Sequence, residues 1–270
     1  MPESYVEIIN SRKFKLAGTL SVPKSKGTYP AVLFLHGFLS SRTRKKITTI
    51  MDMLKDDAIL LAIDFTGHGQ SEGHIKNITL STCIDDATCA LSFLKSLPQT
   101  DTKRIGLYGS SLGGATAIHV ASKDKSLRAL VLIAPVGDFK DLHTHRFTAA
   151  SLRKWKQQDY LLEKDASGKA VRVNYSFVTD ARRYDGFLAA KKIRAKTLIC
   201  HGDRDDVVPY EQGKRVFEAA REPKEFYTIR GAHHNDTYIA GGDAYFAALK
   251  DFVARAASRL PAASGQRNAL

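Results

Sequence analysis

Short apolar runs that alternate with helix-patterned segments constrain this chain more than any other feature. Ala31-Val32-Leu33-Phe34-Leu35 is apolar throughout, the pattern of a strand buried on both faces. Ala58 to Asp64, Arg104 to Tyr108, Leu127 to Ala134 and Lys196 to Cys200 read the same way. Arg44 to Asp56, Leu80 to Leu97 and Ala115 to Ser122 between them read as helices, with Pro98 closing the second. Buried strands separated by helices predict a parallel sheet with crossover helices. Two alternating segments, Tyr5 to Asn10 and Phe14 to Val22, precede it and predict an antiparallel hairpin turning at Ser11-Arg12-Lys13. A helix at Glu211 to Ala220, a strand at Glu225 to Ile229 and a helix from Asp243 to Ser258 are expected to follow.

From Val136 to Lys192 the alternation fails. Phe139, Phe147, Trp155, Tyr160, Tyr175, Phe177, Tyr184 and Phe187 make this segment too aromatic for disorder, and it is too long for a simple crossover. It is expected to be an inserted cap, residues 136–192, with a helix at Leu152 to Leu162. The core is then 1–135 and 193–260, and the small, polar residues 261–270 are expected to fray.

The 270 residues suit one α/β sheet with such an insertion. Met1 to Asn10 lacks a basic stretch followed by an apolar one, and the longest apolar runs are too short to cross a bilayer. A cytoplasmic protein with no membrane partner is expected. Cys83, Cys89 and Cys200 have no C-x-x-C spacing and read as packing residues. The net charge of +13 raises the question of nucleic acid. The basic clusters at 42–46, 153–156 and 191–194 are scattered and read as solvated surface, although a positive field would steer anionic esters to a cleft. Nucleic-acid binding is not expected, and pairing as a homodimer stays open.

Chemistry points to Gly109-Ser110-Ser111-Leu112-Gly113, a G-x-S-x-G spacing between the strand ending at Tyr108 and the helix from Ala115. Glycines two positions either side permit a cramped strand-to-helix corner that exposes the Ser111 hydroxyl beside helix N-terminal amides. The spacing also suits a plain small-residue turn, so its partners decide. A serine needs a base, and the base an orienting carboxylate. Acids follow one strand at His201-Gly202-Asp203-Arg204-Asp205-Asp206, and histidines another at Gly231-Ala232-His233-His234, both at strand ends where α/β sites are built. Asp203 and Asp206 have the other reading of caps for the helix near Tyr210, and His233 rivals His234. His36 and His68 read as loop-fixing residues. His143 and His145 form an H-x-H that reads as surface without a third metal ligand.

These motifs resemble those of the α/β-hydrolase serine esterases, including capped cinnamoyl or feruloyl esterases and monoacylglycerol lipases. The marks are H-G-F at 36–38, G-H-G-Q-S at 67–71, G-S-S-L-G-G at 109–114, H-G-D-R-D-D-V-V-P at 201–209 and G-A-H-H at 231–234. The resemblance implies a mostly parallel eight-stranded α/β sheet flanked by helices, with an inserted cap. It implies a Ser111, Asp205 and His234 triad, with the Phe38 and Leu112 amides as oxyanion donors. No cofactor or metal is implied. Asp138 and Trp155 are expected to meet a small ester substrate with a short to medium or aromatic acyl group. Thr66 stands where many relatives carry arginine, so the anchoring of the G-H-G loop is open.

Overall fold

The computed structural model describes residues 3–165 and 167–257. β1 (Ser4–Ile9) and β2 (Lys15–Ser21) pair antiparallel through a turn with Lys13 at φ 68°. The chain then runs β3 (Tyr29–Leu35), α1 (Lys45–Leu54), β4 (Ile59–Ile63), α2 (Leu80–Ser96), β5 (Thr100–Ser110), α3 (Leu112–Lys123) and β6 (Ala129–Ile133). An excursion follows: α4 (Phe139–Arg146), α5 (Ala149–Gln158), β7 (Tyr160–Lys164), β8 (Ala170–Asn174), α6 (Ser176–Ala181) and α7 (Gly186–Ala190). β9 (Lys196–Gly202), α8 (Tyr210–Ala219), β10 (Lys224–Ile229), α9 (Thr237–Ala240) and α10 (Gly242–Ala257) complete it.

Eight strands form one sheet in the order β1-β2-β4-β3-β5-β6-β9-β10. β2 runs antiparallel to β1 and β4, and the remaining pairs are parallel. Because side chains alternate along a strand, β3 serves both faces. Leu33 and Leu35 join the layer of α2, α3 and α8, whereas Val32 and Phe34 join that of α1 and α10. Full burial of each such side chain stabilises the fold by about 1.5–3 kcal/mol. α2 starts on a capping box in which Thr79 and Thr82 exchange bonds. The parallel arrangement leaves the C-terminal ends of β3, β5, β9 and β10 along one edge, where the loops bearing Phe38, Ser111, Asp205 and His234 emerge.

One expectation needs correction. The helix read at Leu152 to Leu162 ends at Gln158, because Asp159 turns left-handed at φ 59° and the chain continues as β7. β7 pairs antiparallel with β8, a hairpin that aromatic content alone does not reveal. Its turn carries a legible signal: Asp165 Oδ1 accepts the Ser167 and Lys169 amides, and Gly168 sits at φ 84°. Ser258 and the tail expected to fray, 261–270, lie outside the described residues. Among the described residues no helix is long and apolar enough to cross a membrane.

Candidate active site

Ser111 takes φ 55°, ψ −115°, a conformation in which a residue with a Cβ is strained. Its neighbours make that corner possible. A Cβ on Gly113 would run into Leu35 O and, at 2.6 Å, into His36 O. With hydrogen there, α3 starts against the end of β3, and Gly37 lies beside Ser111. Ser111 N donates to Ile133 O at 2.9 Å, which ties the corner to β6. Leu112 is the first residue of α3, so its amide has no acceptor within the helix.

The loop after β3 is fixed by His36, which is fully buried. Its Nδ1 donates to Gly37 O at 2.7 Å and its Nε2 accepts the Phe65 amide at 3.1 Å, an arrangement that requires neutral imidazole. Burial pushes His36 down to about 4. His68 donates from Nδ1 to Thr66 O at 3.2 Å, and burial pushes it to about 3. The loop-fixing reading suits both.

Asp205 and His234 meet, with His234 Nδ1 2.7 Å from Asp205 Oδ2. Asp205 Oδ1 also accepts the Val207 and Val208 amides at 2.9 and 2.8 Å. Burial works to raise this carboxyl. The bonds from His201 and His234, the His234 charge and the Val208 amide outweigh it and hold Asp205 well below the usual carboxylate range. His201 was missed as a site residue, although its motif contains it. It is fully buried, with Nε2 3.2 Å from Asp205 Oδ2 and 3.0 Å from Val208 O.

The rival residues have other duties. His233 is exposed and pairs with Asp206 at 3.6 Å. Asp203 accepts the Gly231 amide at 2.6 Å and joins the two loops. Neither Asp203 nor Asp206 caps α8, whose N-cap is Pro209 without a side-chain bond.

Ser111, His234, Phe38 and Leu112 line a cavity of about 890 Å³. The excursion between β6 and β9 walls it with Phe139, His143, Phe147, Trp155 and Phe177. The Phe38 ring stacks on Phe177 at 5.1 Å. Trp155 donates from Nε1 to Val173 O at 2.9 Å and is 3% exposed, so its indole is an anchored wall. Asp138 is not brought to the cavity wall. Its carboxylate caps α4 by accepting the Lys140 amide at 2.7 Å, and its backbone bridges to Asp185.

The H-x-H pair also divides: His145 is exposed, whereas His143 is buried among aromatic rings, since residues two apart do not share a helix face. Burial pushes His143 down to about 4.

The cluster at 42–46 is not uniformly solvated surface. Arg42 is buried and pairs with Asp64, which also accepts the Arg42 amide at 2.7 Å and the Gln70 amide at 3.0 Å. Lys46 is half-buried in the cavity wall, where its Nζ donates to Ser110 Oγ at 2.7 Å. The open question at Thr66 also resolves. Asp86 accepts the Thr66 amide at 2.7 Å and its hydroxyl at 2.9 Å, while Arg12 reaches Asp86 at 2.6 Å. The anchoring arginine therefore comes from the β1–β2 turn.

The model of the prolyl oligopeptidase family matches residues 46–255. In sequence the chain is 23% identical over 208 residues to mouse "Palmitoyl-protein thioesterase ABHD10, mitochondrial", covering 76% of this chain and 68% of the relative. In structure it is similar to the α/β hydrolase GrgF from Penicillium sp. sh18, with TM-score 0.80, 19% identity and coverage of 95% and 99% of the two chains. It is also similar to Est1E from Butyrivibrio proteoclasticus bound to ferulic acid, with TM-score 0.75, 22% identity and coverage of 93% and 96%.

Proposed function

The chain belongs to the prolyl oligopeptidase family of α/β hydrolases, and on that premise we propose that it is a serine hydrolase of carboxylic esters. One observation carries the reading: a strained corner serine and a histidine whose Nδ1 is committed to a buried carboxylate face one cavity. Since Nδ1 is engaged, His234 Nε2 is the atom that takes the proton as Ser111 Oγ attacks the carbonyl. Asp205 holds the imidazole and stabilises its cation. The Phe38 and Leu112 amides receive the oxyanion, each fixed by backbone rather than side chain. The alcohol leaves with the proton from His234. Water then attacks the acyl-enzyme by the same steps, and the acid is released.

The aromatic wall supports a short to medium or aromatic acyl group of the cinnamoyl type, and residues 136–192 serve as the lid that selects it. Thioester hydrolysis is the second reading, supported by the thioesterase named among the relatives. Ser111→Ala is expected to abolish turnover and labelling by a fluorophosphonate. Survival of either removes the serine from its role. A p-nitrophenyl ester series, methyl ferulate, acyl pantetheine thioesters and an aminoacyl anilide then rank the bond types. Fastest turnover of the anilide would replace the esterase reading with a peptidase one.

A further inference from the structure

Arg44, Lys45, Lys46, Arg146 and Lys164 line the cavity, and the hydrolytic steps use none of them; Lys46 is the one bonded to the residue beside Ser111. Lys46 Nζ donates to Ser110 Oγ at 2.7 Å, and Ser110 directly precedes the nucleophile, so the two Cα atoms are about 3.8 Å apart. An ammonium carries three donors. Among the described residues no carboxylate lies within ion-pair distance of this one. The acids on the cavity wall are committed elsewhere. Glu163 faces Arg146 at 3.6 Å, and Asp165 accepts amides of its own turn. Arg44 and Lys45, both exposed, line the cavity beside Lys46 and add to its positive field. Burial, with a smaller contribution from Arg44, lowers Lys46 to about 8, and Asp205 opposes the shift. The residue therefore remains mostly charged at neutral pH while short of counter-charge.

We propose that Lys46 determines specificity by holding an anionic group, a carboxylate or a phosphate, that the substrate carries close to the carbonyl attacked by Ser111. The proposal rests on the hydrolase reading and narrows it to acidic esters. A half-buried ammonium beside the nucleophile selects for negative charge because an anion supplies the partners that its remaining N–H groups lack. It also discriminates against neutral analogues, which would leave those donors dry. The aromatic wall then receives the apolar remainder of the same substrate.

The test compares 4-nitrophenyl hydrogen succinate with 4-nitrophenyl butyrate, and 2-phosphoethyl butyrate with 2-methoxyethyl butyrate. The first pair places a carboxylate on the acyl side and the second a phosphate on the alcohol side. The wild-type protein is expected to favour one anionic ester over its neutral counterpart by at least tenfold in kcat/KM. That ratio should fall severalfold as salt rises from about 0.05 to 0.5 M, because screening weakens a half-exposed pair. Lys46→Met should lower the ratio tenfold or more, and Lys46→Arg should keep most of it. No anionic preference in the wild type, an unchanged ratio in Lys46→Met, or equal loss on both members of a pair would overturn the proposal. The last outcome would make Lys46 a residue that only positions Ser110. Calorimetry on Ser111→Ala and Ser111→Ala/Lys46→Met with the hemisuccinate separates binding from turnover, with Kd expected to weaken at least tenfold in the double variant. Lys46-dependent binding to a wild type that turns over nothing would sink the hydrolase reading and leave the anion site standing. Turnover without anion preference would sink only the site.

Discussion

The Ser111 corner and the inserted segment face one cavity but are held by different means. At the corner nearly everything is fixed by backbone: the Ser111 dihedrals, the approach of Gly113 to β3, the two bonds of His36, and the amides on Asp205. The inserted segment instead holds its wall by ring packing. His143, Phe147, Trp155 and Phe177 meet mainly edge to face, with the Trp155 bond to Val173 O as a polar pin. Backbone constraints tolerate few residue types, whereas packed rings can be exchanged for others of similar volume. On the proposed function, attack on a carbonyl belongs to the rigid half, and the choice of the substrate's apolar part to the half that can vary.

The sharpest way to break this contrast is to disturb the charge at the corner while keeping its shape. Asp205→Asn preserves volume but favours the wrong tautomer of His234, so kcat is expected to fall by roughly 10³–10⁴ with KM little changed. A loss under tenfold would show that Asp205 does not orient the base.

Acid should damage both halves together, through histidines that burial keeps neutral. His36 and His143 are lowered to about 4 and His68 to about 3, against roughly 6.5 in the unfolded chain. Above that value neither state holds the proton, and the three contribute no pH dependence. As pH falls from about 6.5 towards 4 the unfolded chain takes up protons first, so stability declines. The loss is expected to be about 1 kcal/mol for each histidine by pH 5.5. Thermal melts between pH 7.5 and 5 measure it, and a flat melting temperature would mean that these histidines are not held neutral.

Gly113→Ala sharpens the contrast from the backbone side. The added methyl would meet Leu35 O and His36 O, main-chain atoms that cannot swing aside. A stability loss of about 3 kcal/mol is expected, with activity falling as the corner moves. Denaturant unfolding reports the first and turnover the second. A variant as stable as the wild type would show that the corner has slack.

The same contrast explains what the sequence disclosed. The parallel sheet was legible because buried strands must be apolar on both faces, as Ala31 to Leu35 is. The corner was legible because Gly109 and Gly113 answer steric demands that leave fixed spacings. Arg42 and Lys46 were not, because which of five neighbouring polar residues turn inward is decided by Asp64 and Ser110, remote in sequence. Asp138 failed for a related reason: an acid before a helix has the cap as a local competitor, and the cap took it. His201 lay within a recognised motif, but its burial against Asp205 depends on how β9 and the following loop pack. The β7–β8 turn at Asp165 to Gly168 was readable from its residue types and was overshadowed by the aromatic content around it.

The smallest expected effect tests whether the variable half selects. Phe147 is half-buried, lines the cavity and packs its ring against Trp155 at 5.6 Å. Phe147→Leu keeps an apolar side chain but removes the edge-to-face contact and some volume, without touching β3, β5 or the Asp205 loop. The preference for aromatic over linear acyl groups is expected to fall about threefold to tenfold, or about 1 kcal/mol, mainly through KM. Reactivity towards a small fluorophosphonate should stay close to wild type, because that reagent needs Ser111, His234 and the oxyanion amides but little of the wall. Competition between methyl ferulate and p-nitrophenyl butyrate, run beside the labelling rate, reads both halves in one experiment. If the labelling rate falls with the aromatic preference, wall and corner are mechanically one, and the division between a fixed chemistry and an adjustable choice of substrate fails.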